Sequence, residues 1–455
     1  MIESIKKDIT EHLDESISDL ERLCAQPSIS AQNIGLDTCS RLVQSMLDEA
    51  GLETEVMSVP GGPPIVTGVR KGTSNQTILF YDHYDVQPPE PLELWTSDPF
   101  KPQIRDERFF ARGASDDKGN LAARIAAIKA YMRIAGDLPI SVKFFVEGEE
   151  EVGSPHLSDF FEANASHLKN RLAADGCIWE GGGVTWDGSP VMHLGLKGIL
   201  YLELEARGPN RDLHSSYGAV VPNPAWTLMW ALSTIKDRHE KILIPGFYDD
   251  VREPTREELL SLNSNSNEDQ SFREDIGIES FVEGASGSSY GKRLLLEPAC
   301  SICGIQSGYT GHGAKTVLPS IAKAKIDFRL VPNQRPEDIK RKLKDHLAKE
   351  GFDSIKVTEH GSTYPARTPM NSQWAKLVQQ SAERVYKKTA TLLPGIAGSG
   401  PMYPFTDILH IPTITTGVGY PDNRIHAPNE NIRLEDYMRN IMHIADIMHQ
   451  MSKSR

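Results

Sequence analysis

Apolar residues recur at Ile5, Ile9, Leu13, Ile17, Leu20 and Leu23, the spacing of one helical face, until Pro27 ends the run. Thr38 to Ala50 repeats the pattern and Gly51 closes it. Thr77-Ile-Leu-Phe-Tyr81 and Pro139-Ile-Ser-Val-Lys-Phe-Phe-Val146 are short apolar runs that read as buried strands. Between them, the Ala- and Ile-rich stretch Asn120 to Ile134 reads as a helix. Strands alternating with helices predict an α/β sandwich around a largely parallel sheet.

The middle of the chain is patterned differently. Tyr201-Leu-Glu-Leu-Glu-Ala206 and Lys323-Ala-Lys-Ile-Asp-Phe-Arg329 alternate apolar and polar, and helices are expected at Asn223 to Ile235 and Pro336 to Leu347. Such alternation predicts an antiparallel sheet with one wet face and helices over the other. We read residues 196–362 as an inserted α+β domain, with polar loops at Asn263 to Glu268 and Gly284 to Ser289. After Tyr364 the first style returns: Trp374 to Tyr386 is helical, Ile411 to Thr415 strand-like, and Leu434 to His449 helical. Residues 1–195 are therefore expected to be completed by 363–455. No internal repeat or low-complexity tail is visible.

Composition narrows the function class. The 455 residues, 39% hydrophobic and 24% charged, suffice for two or three domains with a large core. A net charge of -13 without a basic stripe argues against nucleic-acid binding, since phosphate contact requires clustered cations. Met1-Ile2-Glu3-Ser4 opens directly into the helical pattern, with no basic start and apolar block of a signal peptide. No apolar run approaches the roughly 18 residues of a spanning helix, so no membrane partner is expected. Five scattered cysteines, Cys24, Cys39, Cys177, Cys300 and Cys303, suggest reduced thiols and a cytoplasmic location. Cys300 and Cys303 form a lone CxxC in a strand-like run, where residues three apart face opposite ways, and no second pair completes a zinc site.

Candidate chemistry lies at the expected strand ends, where ligand sites of open α/β sheets gather. Tyr81-Asp-His83-Tyr-Asp85 pairs an imidazole with a carboxylate able to fix its tautomer. In Arg112-Gly-Ala-Ser-Asp116-Asp117-Lys118-Gly119, two adjacent carboxylates repel unless a cation relieves them. Either aspartate also suits the cap of the helix that follows. Glu147-Gly-Glu149-Glu150-Glu151-Val-Gly153-Ser154 puts four acids behind an apolar strand, enough for a metal ligand and a general base; a solvated loop is the plain alternative. Ala174-Asp175-Gly-Cys-Ile-Trp-Glu180 supplies another acid, and Arg424-Ile-His426-Ala-Pro-Asn-Glu430 a histidine in a turn-rich loop. Imidazole with hard oxygen ligands suits zinc, and also manganese or cobalt. A paired-metal site needs a bridging carboxylate, terminal ligands and a base for the shared water, and the five segments hold that inventory.

In this order the segments resemble the metallopeptidase family of aminoacylases, succinyl-diaminopimelate desuccinylase, glutamate carboxypeptidase and carnosinase-type dipeptidases. The resemblance covers nearly the whole chain. Phe80 to Pro88, Arg112 to Gly119, Glu147 to Ser154, Asp212 to Gly218, Gly313 to Pro319 and Phe328 to Asn333 look most like its cytosolic dipeptidase branch. It implies a phosphorylase/hydrolase-like zinc-peptidase domain with an inserted ferredoxin-like lid and dimerisation domain. It also implies two divalent ions, zinc first with manganese or cobalt possible, and a homodimer.

Carried over residue by residue, the resemblance implies that His83 binds one metal, His426 the other, and Asp116 bridges them. Asp85 orients His83, Glu150 is the general base, Glu151 a ligand, and Glu180 holds the second metal. His214 polarises the scissile carbonyl from the partner subunit. Arg329 binds the substrate carboxylate, helped by Gly398, Ser399 and Gly400. A cis peptide follows the bridging aspartate, at Asp116–Asp117. Three departures leave choices open. The extra glutamate allows a shift between Glu149 and Glu150. Asp175 rivals Glu180, because carnosinase-type enzymes carry Asp where aminoacylase-like members carry Glu. Ala219 stands where dipeptidases usually have a second Gly. The expected reaction is metal-dependent hydrolysis of dipeptides or short peptides with a free C-terminal carboxylate, through a water shared by the metals. An N-acyl-amino-acid deacylase of the acetylornithine or succinyl-diaminopimelate type is the alternative. A non-catalytic binding protein on this scaffold is disfavoured by the complete ligand-and-base set. A serine hydrolase is disfavoured because Gly398-Ser399-Gly400 lacks the nucleophile-elbow pattern.

Overall fold

The computed structural model describes residues 1–262 and 268–453, with Glu268 described by its backbone alone. It forms two compact units: Met1–Gly195 with Arg367–Pro394 and Pro401–Arg455, and Leu196–Ala366 with Gly395–Gly400.

The first unit begins with helices α1 (Ile2–Glu11), α2 (Leu13–Ala25) and α3 (Leu36–Glu49). The periodic run over residues 5–23 is thus two helices rather than one. The chain leaves helical geometry at His12 (φ -114°, ψ 24°), whose ring lies 3.0 Å from the Asp8 carbonyl. Strands β1 (Glu53–Met57), β2 (Ile65–Arg70), β3 (Thr77–His83), β4 (Ser141–Glu147) and β5 (Gly176–Trp179), with edge strand Thr413–Thr415, form a six-stranded sheet ordered β1-β2-β4-β3-β5-edge. The strands from β4 to the edge run parallel, while β1 and β2 pair antiparallel at the other side. The mixed side arises because β1 and β2 are joined by a short connection that turns back, whereas the parallel strands are linked through helices.

Helix α4 (Lys118–Ala135) lies against β3 and is buried along most of its length. Helices α1, α2 and the C-terminal helix Leu434–Met451 pack on it. The opposite sheet face holds an aromatic cluster: Tyr81 stacks on Trp179 at 3.6 Å, and Phe405 meets both edge-on. Side chains alternate along β3, so Phe80 and Asp82 face α4 while Tyr81 and His83 face the aromatic side.

The second unit is built on β6 (Gly198–Arg207), β7 (Ala299–Ser307), β8 (Ile321–Leu330) and β9 (Lys356–Thr363), ordered β7-β8-β6-β9 and antiparallel throughout. Leu200, Leu202, Leu204, Ile326 and Phe328 form a core with residues of helices α5 (Pro224–Ile235) and α6 (Pro336–Lys349). The other face carries Glu203, Glu205 and Lys323, which form ion pairs. This is the one-sided wetting that the alternation predicts. Asn263 to Asn267 of the first expected polar loop lie outside the described residues, and Glu268 opens the helix Glu268–Asp275. The second expected loop is shorter than its composition suggests. Ser286 and Ser289 form a capping box that starts helix Gly287–Leu296, so polar residues here begin a helix rather than continue a loop. Cys300 is buried, Cys303 is exposed, and all five cysteines are free. Among the described residues no helix is long and apolar enough to cross a membrane.

Candidate metal centre

The carboxyl ends of β3, β4 and β5 and the start of α4 deliver the acidic and imidazole residues to one place within the first unit. β3 ends at His83, and Glu180 directly follows β5. After β4 the chain turns at Gly148, where a Cβ would meet the Tyr84 ring at 2.2 Å, so only glycine fits. A single helical turn, Glu150–Val152, then follows. His426 comes from a loop in which Arg424, His426 and Asn429 all take left-handed backbone, His426 at φ 60°.

Asp116 stands between the two imidazoles. Its Oδ1 is 3.0 Å from His83 Nε2 and its Oδ2 is 3.1 Å from His426 Nε2. Glu180 Oε2 lies 3.3 Å from His83 Nε2, and Glu151 Oε2 lies 3.0 Å from His426 Nε2. The arrangement is one shared carboxylate with two arms, His83 with Glu180 and His426 with Glu151. The peptide Asp116–Asp117 is cis.

Surrounding groups fix these ligands. His83 Nδ1 lies 3.1 Å from the Asp85 carbonyl and 3.2 Å from Asp85 Oδ1. The same Asp85 carboxylate accepts the N–H groups of Glu150 and Glu151, at 3.2 and 3.1 Å, tying ring and glutamate turn together. Glu149 is engaged elsewhere, accepting from the backbone N–H of His156 and lying 2.8 Å from its Nδ1. Asp175 precedes β5, at the opposite end of the strand from Glu180, and accepts the Thr77 N–H at 2.7 Å.

Several organising residues carry no distinctive sequence signal. Buried Glu430 accepts the N–H groups of Gly113, Ser115 and Asp116 and pairs with Arg112 at 2.9 Å. It shapes the turn before α4 from the same loop that supplies His426. Asp117 occupies the cap position of α4, but its side chain does not cap the helix. Its Oδ1 accepts from the Asn120 side chain at 2.6 Å and its Oδ2 from the His83 N–H at 3.2 Å. The only hint in the sequence is an Asn and an Arg set four apart in an Ala- and Ile-rich run, Asn120 and Arg124.

Electrostatics favour cations here. Burial raises the pKa of Glu150 well above the carboxylate range, and the charges of Asp116 and Glu151 add to the rise. Glu180 and Glu151 are raised for the same first reason, with Glu150 and Asp116 respectively as the nearest repelling charges. Burial alone would also raise Asp116, but hydrogen bonds from His426 and His83 outweigh it and hold the group below the usual range. His426 is pushed up to about 10 by hydrogen bonds to Asp116 and Glu151. Buried carboxylates this close demand compensating charge.

The donor set suits metal. His83, Asp117 and Glu180 form one group whose ligand atoms lie within 4.8 Å of one another; Asp116, Glu151 and His426 form a second. Glu180 Oε2 is buried without a hydrogen-bond partner, a lone pair suited to a cation. Nitrogen and carboxylate donors in two groups bridged by one aspartate match a pair of divalent ions.

In the second unit, Arg329 donates from Nη1 to Ser399 Oγ at 2.9 Å and from Nε to Asp327 Oδ2 at 3.1 Å. The Gly398 carbonyl accepts the Lys197 N–H at 2.9 Å, and Gly400 is buried. His214 is exposed. Its Nδ1 is 2.8 Å from Ser216 Oγ and its Nε2 3.4 Å from Thr316 Oγ1, and it takes no part in the Arg329 pair.

Comparison with known proteins gives a consistent set of relatives. The description "Peptidase family M20/M25/M40" matches residues 79–450. The Cys-Gly metallodipeptidase dug1 of Schizosaccharomyces pombe is 32% identical over 410 residues, 86% of this chain and 83% of that protein. The human Beta-Ala-His dipeptidase is 26% identical over 466 residues, 96% of this chain and 90% of that protein. Among solved structures, the family metallo-carboxypeptidase Sso-CP2 from Sulfolobus solfataricus aligns with a TM-score of 0.90 at 37% identity, covering 97% of this chain and 100% of that one.

Proposed function

The chain belongs to peptidase family M20/M25/M40, and from that premise we propose that it hydrolyses the last peptide bond of dipeptides or short peptides bearing a free C-terminal carboxylate. The observation that carries this reading is Asp116, shared between two imidazole–carboxylate arms at 3.0 and 3.1 Å. His83 with Glu180 would hold one metal and His426 with Glu151 the other, zinc being the first choice and manganese or cobalt compatible with the same donors. Such a pair supplies Lewis acidity, lowering the pKa of a water and polarising the scissile carbonyl.

The chain's own residues do the rest. Glu150 accepts the proton of the attacking water and returns it to the leaving amine as the C–N bond breaks. Burial and the charges of Asp116 and Glu151 raise its proton affinity, which suits a group that must take and give back a proton. The engagement of Glu149 with His156 supports Glu150 rather than Glu149 in this role. Asp85 holds the His83 ring through its second nitrogen. Arg329 forks the substrate carboxylate beside the loop Gly398 to Gly400, and His214, reaching in from a second copy of the chain, donates to the developing oxyanion.

We read residues 196–362 as a lid and dimerisation domain. Trp226, Met229 and Trp230 are exposed along one side of α5, and Ile302 and Ile305 are exposed on β7, an edge strand of its sheet. Apolar exposure on an uncovered edge suits a second copy of the chain. Changing Trp230 and Ile305 together to Glu is expected to convert a dimer to a monomer in sedimentation equilibrium; a wild-type chain that is already monomeric removes the dimer. Five free cysteines fit a reducing, cytoplasmic setting.

The test of the activity is a substrate panel read by amine release, with Glu150→Gln beside the wild type. Dipeptides and short peptides with free carboxylates are expected to be cleaved and their C-terminal amides refused. Preference for N-acyl amino acids over peptides would move the chain to the deacylase branch. Glu150→Gln is expected to keep its metal yet lose about 10²–10⁴-fold in kcat; near-full turnover would remove Glu150 as the base.

A further inference from the structure

The parallel ladder between β3 and β5 pairs Ile78 with Gly176, Leu79 with Cys177 and Phe80 with Ile178, and extends no further. The next rung would be Tyr81 with Trp179, immediately before the residues that carry His83 and Glu180. At that rung a side chain takes over. Arg124, fully buried on α4, donates from Nη1 to the Tyr81 carbonyl at 2.5 Å and from Nη2 to the Trp179 carbonyl at 2.8 Å. Its charge is met by Asp82, whose Oδ1 lies 2.6 Å from Nη1.

We propose that Arg124 is a positioning residue that sets the separation of the two strand ends, and thereby the geometry of the His83–Glu180 arm alone. Tyr81 is two residues before His83, and Trp179 is adjacent to Glu180. A guanidinium is planar and rigid, so its two donors fix both carbonyls in one plane, which a flexible ammonium cannot do. The other arm has separate supports. Glu151 accepts from the backbone N–H of Gln87 at 3.1 Å and from its side chain at 2.9 Å, while Glu150 and Glu151 give their N–H groups to Asp85. The hydrogen bonds and ion pair of Arg124 go instead to Tyr81, Trp179 and Asp82. Asn120, one turn before Arg124 on the same helix face, fixes Asp117 and accepts the Val418 N–H at 2.9 Å. The buried polar face of α4 therefore supports the His83 side of the centre.

This inference rests on the two-metal reading of the site, and the test separates the two. Metal-free protein is titrated with Mn²⁺, followed by calorimetry and by the electron paramagnetic resonance of the bound ions. Wild type binding two equivalents with a coupled-pair spectrum is the premise; fewer than two equivalents overturns the two-metal reading and the clamp with it. Arg124→Lys keeps the charge and loses the fork. The expected result is that one equivalent binds within twofold of wild type and the other at least about tenfold more weakly, with the spectrum of an isolated ion at low occupancy. Two equivalents of unchanged affinity overturn the clamp, and equal weakening of both overturns its restriction to one arm. Where Arg124→Lys fails to fold, the paired change Asp82→Asn with Arg124→Met removes the buried charge together with its counter-charge and is read against the same outcomes.

Discussion

Asp116 reaches both imidazoles because its own N–H is held by Glu430 and its two oxygens diverge toward rings on different elements, the end of β3 and the loop of His426. Asp117, the next residue and chemically identical, turns instead to Asn120 and the His83 backbone. Adjacent acids are not distinguished by residue chemistry, only by the family resemblance, because the difference lies in which buried donor each meets. The same holds for Glu149 and Glu150, which separate only once His156 is seen beside the first. Arg329 is oriented by its own neighbours: Asp327 holds Nε and Ser399 holds Nη1. A charge-assisted hydrogen bond contributes about 1.5–3 kcal/mol. Arg329→Ala is accordingly expected to raise KM roughly ten- to a hundredfold for free-carboxylate peptides, with a smaller effect on kcat. Initial-rate kinetics decide it; an unchanged KM places the carboxylate elsewhere.

At the scale of elements, the strand ends were the most readable part of the chain. Apolar runs stopping at Tyr81, Val146 and Trp179 are strong local signals, and the acids that follow them cluster because parallel strands end on one side. Helices at α4, α5 and α6 follow from periodicity in the same way. Patterning carries no signal where a polar residue is built into the core. Arg124 and Asn120 resemble surface positions in composition, His12 divides a periodic run, and Ser286 starts a helix where a serine-rich loop was expected. The C-terminal helix Leu434–Met451 supplies another such residue. His443 is fully buried, with Nδ1 3.1 Å from Thr416 Oγ1 and Nε2 3.2 Å from the Val378 carbonyl. Burial lowers its pKa to about 4. Between that value and the unfolded value near 6.5, the unfolded chain binds the extra proton. The stabilisation is therefore complete above about pH 6.5 and is lost as pH falls toward 4, at up to about 1.4 kcal/mol per pH unit. His443→Gln is expected to flatten that slope in thermal melts of chelated protein; equal slopes in variant and wild type would refute it.

At the scale of the whole molecule, the two large cores among the described residues are distinct. One gathers residues from Ile5 to Leu194 and from Trp374 to Met451, the other from Leu200 to Ile355. Every proposed metal ligand belongs to the first unit, drawn from residues 83, 116, 151, 180 and 426, so the ions would join segments far apart along the chain. A ligand that binds only the folded state adds RT ln(1 + [L]/Kd), roughly 2.7 kcal/mol at a hundredfold excess over Kd. That increment belongs to the unit that binds. Two cores of this kind give no reason to expect a single two-state transition. Calorimetry of the metal-loaded protein is expected to show a transition that moves down in temperature on adding a chelator and a second that stays in place. Limited proteolysis should assign the moving one to fragments of residues 1–195, 367–394 and 401–455, and restoring Zn²⁺ or Mn²⁺ should bring it back. Movement of both transitions by the same amount would mean that the stability of residues 196–366 depends on the metals as well, and the independence of the two cores would have to be abandoned.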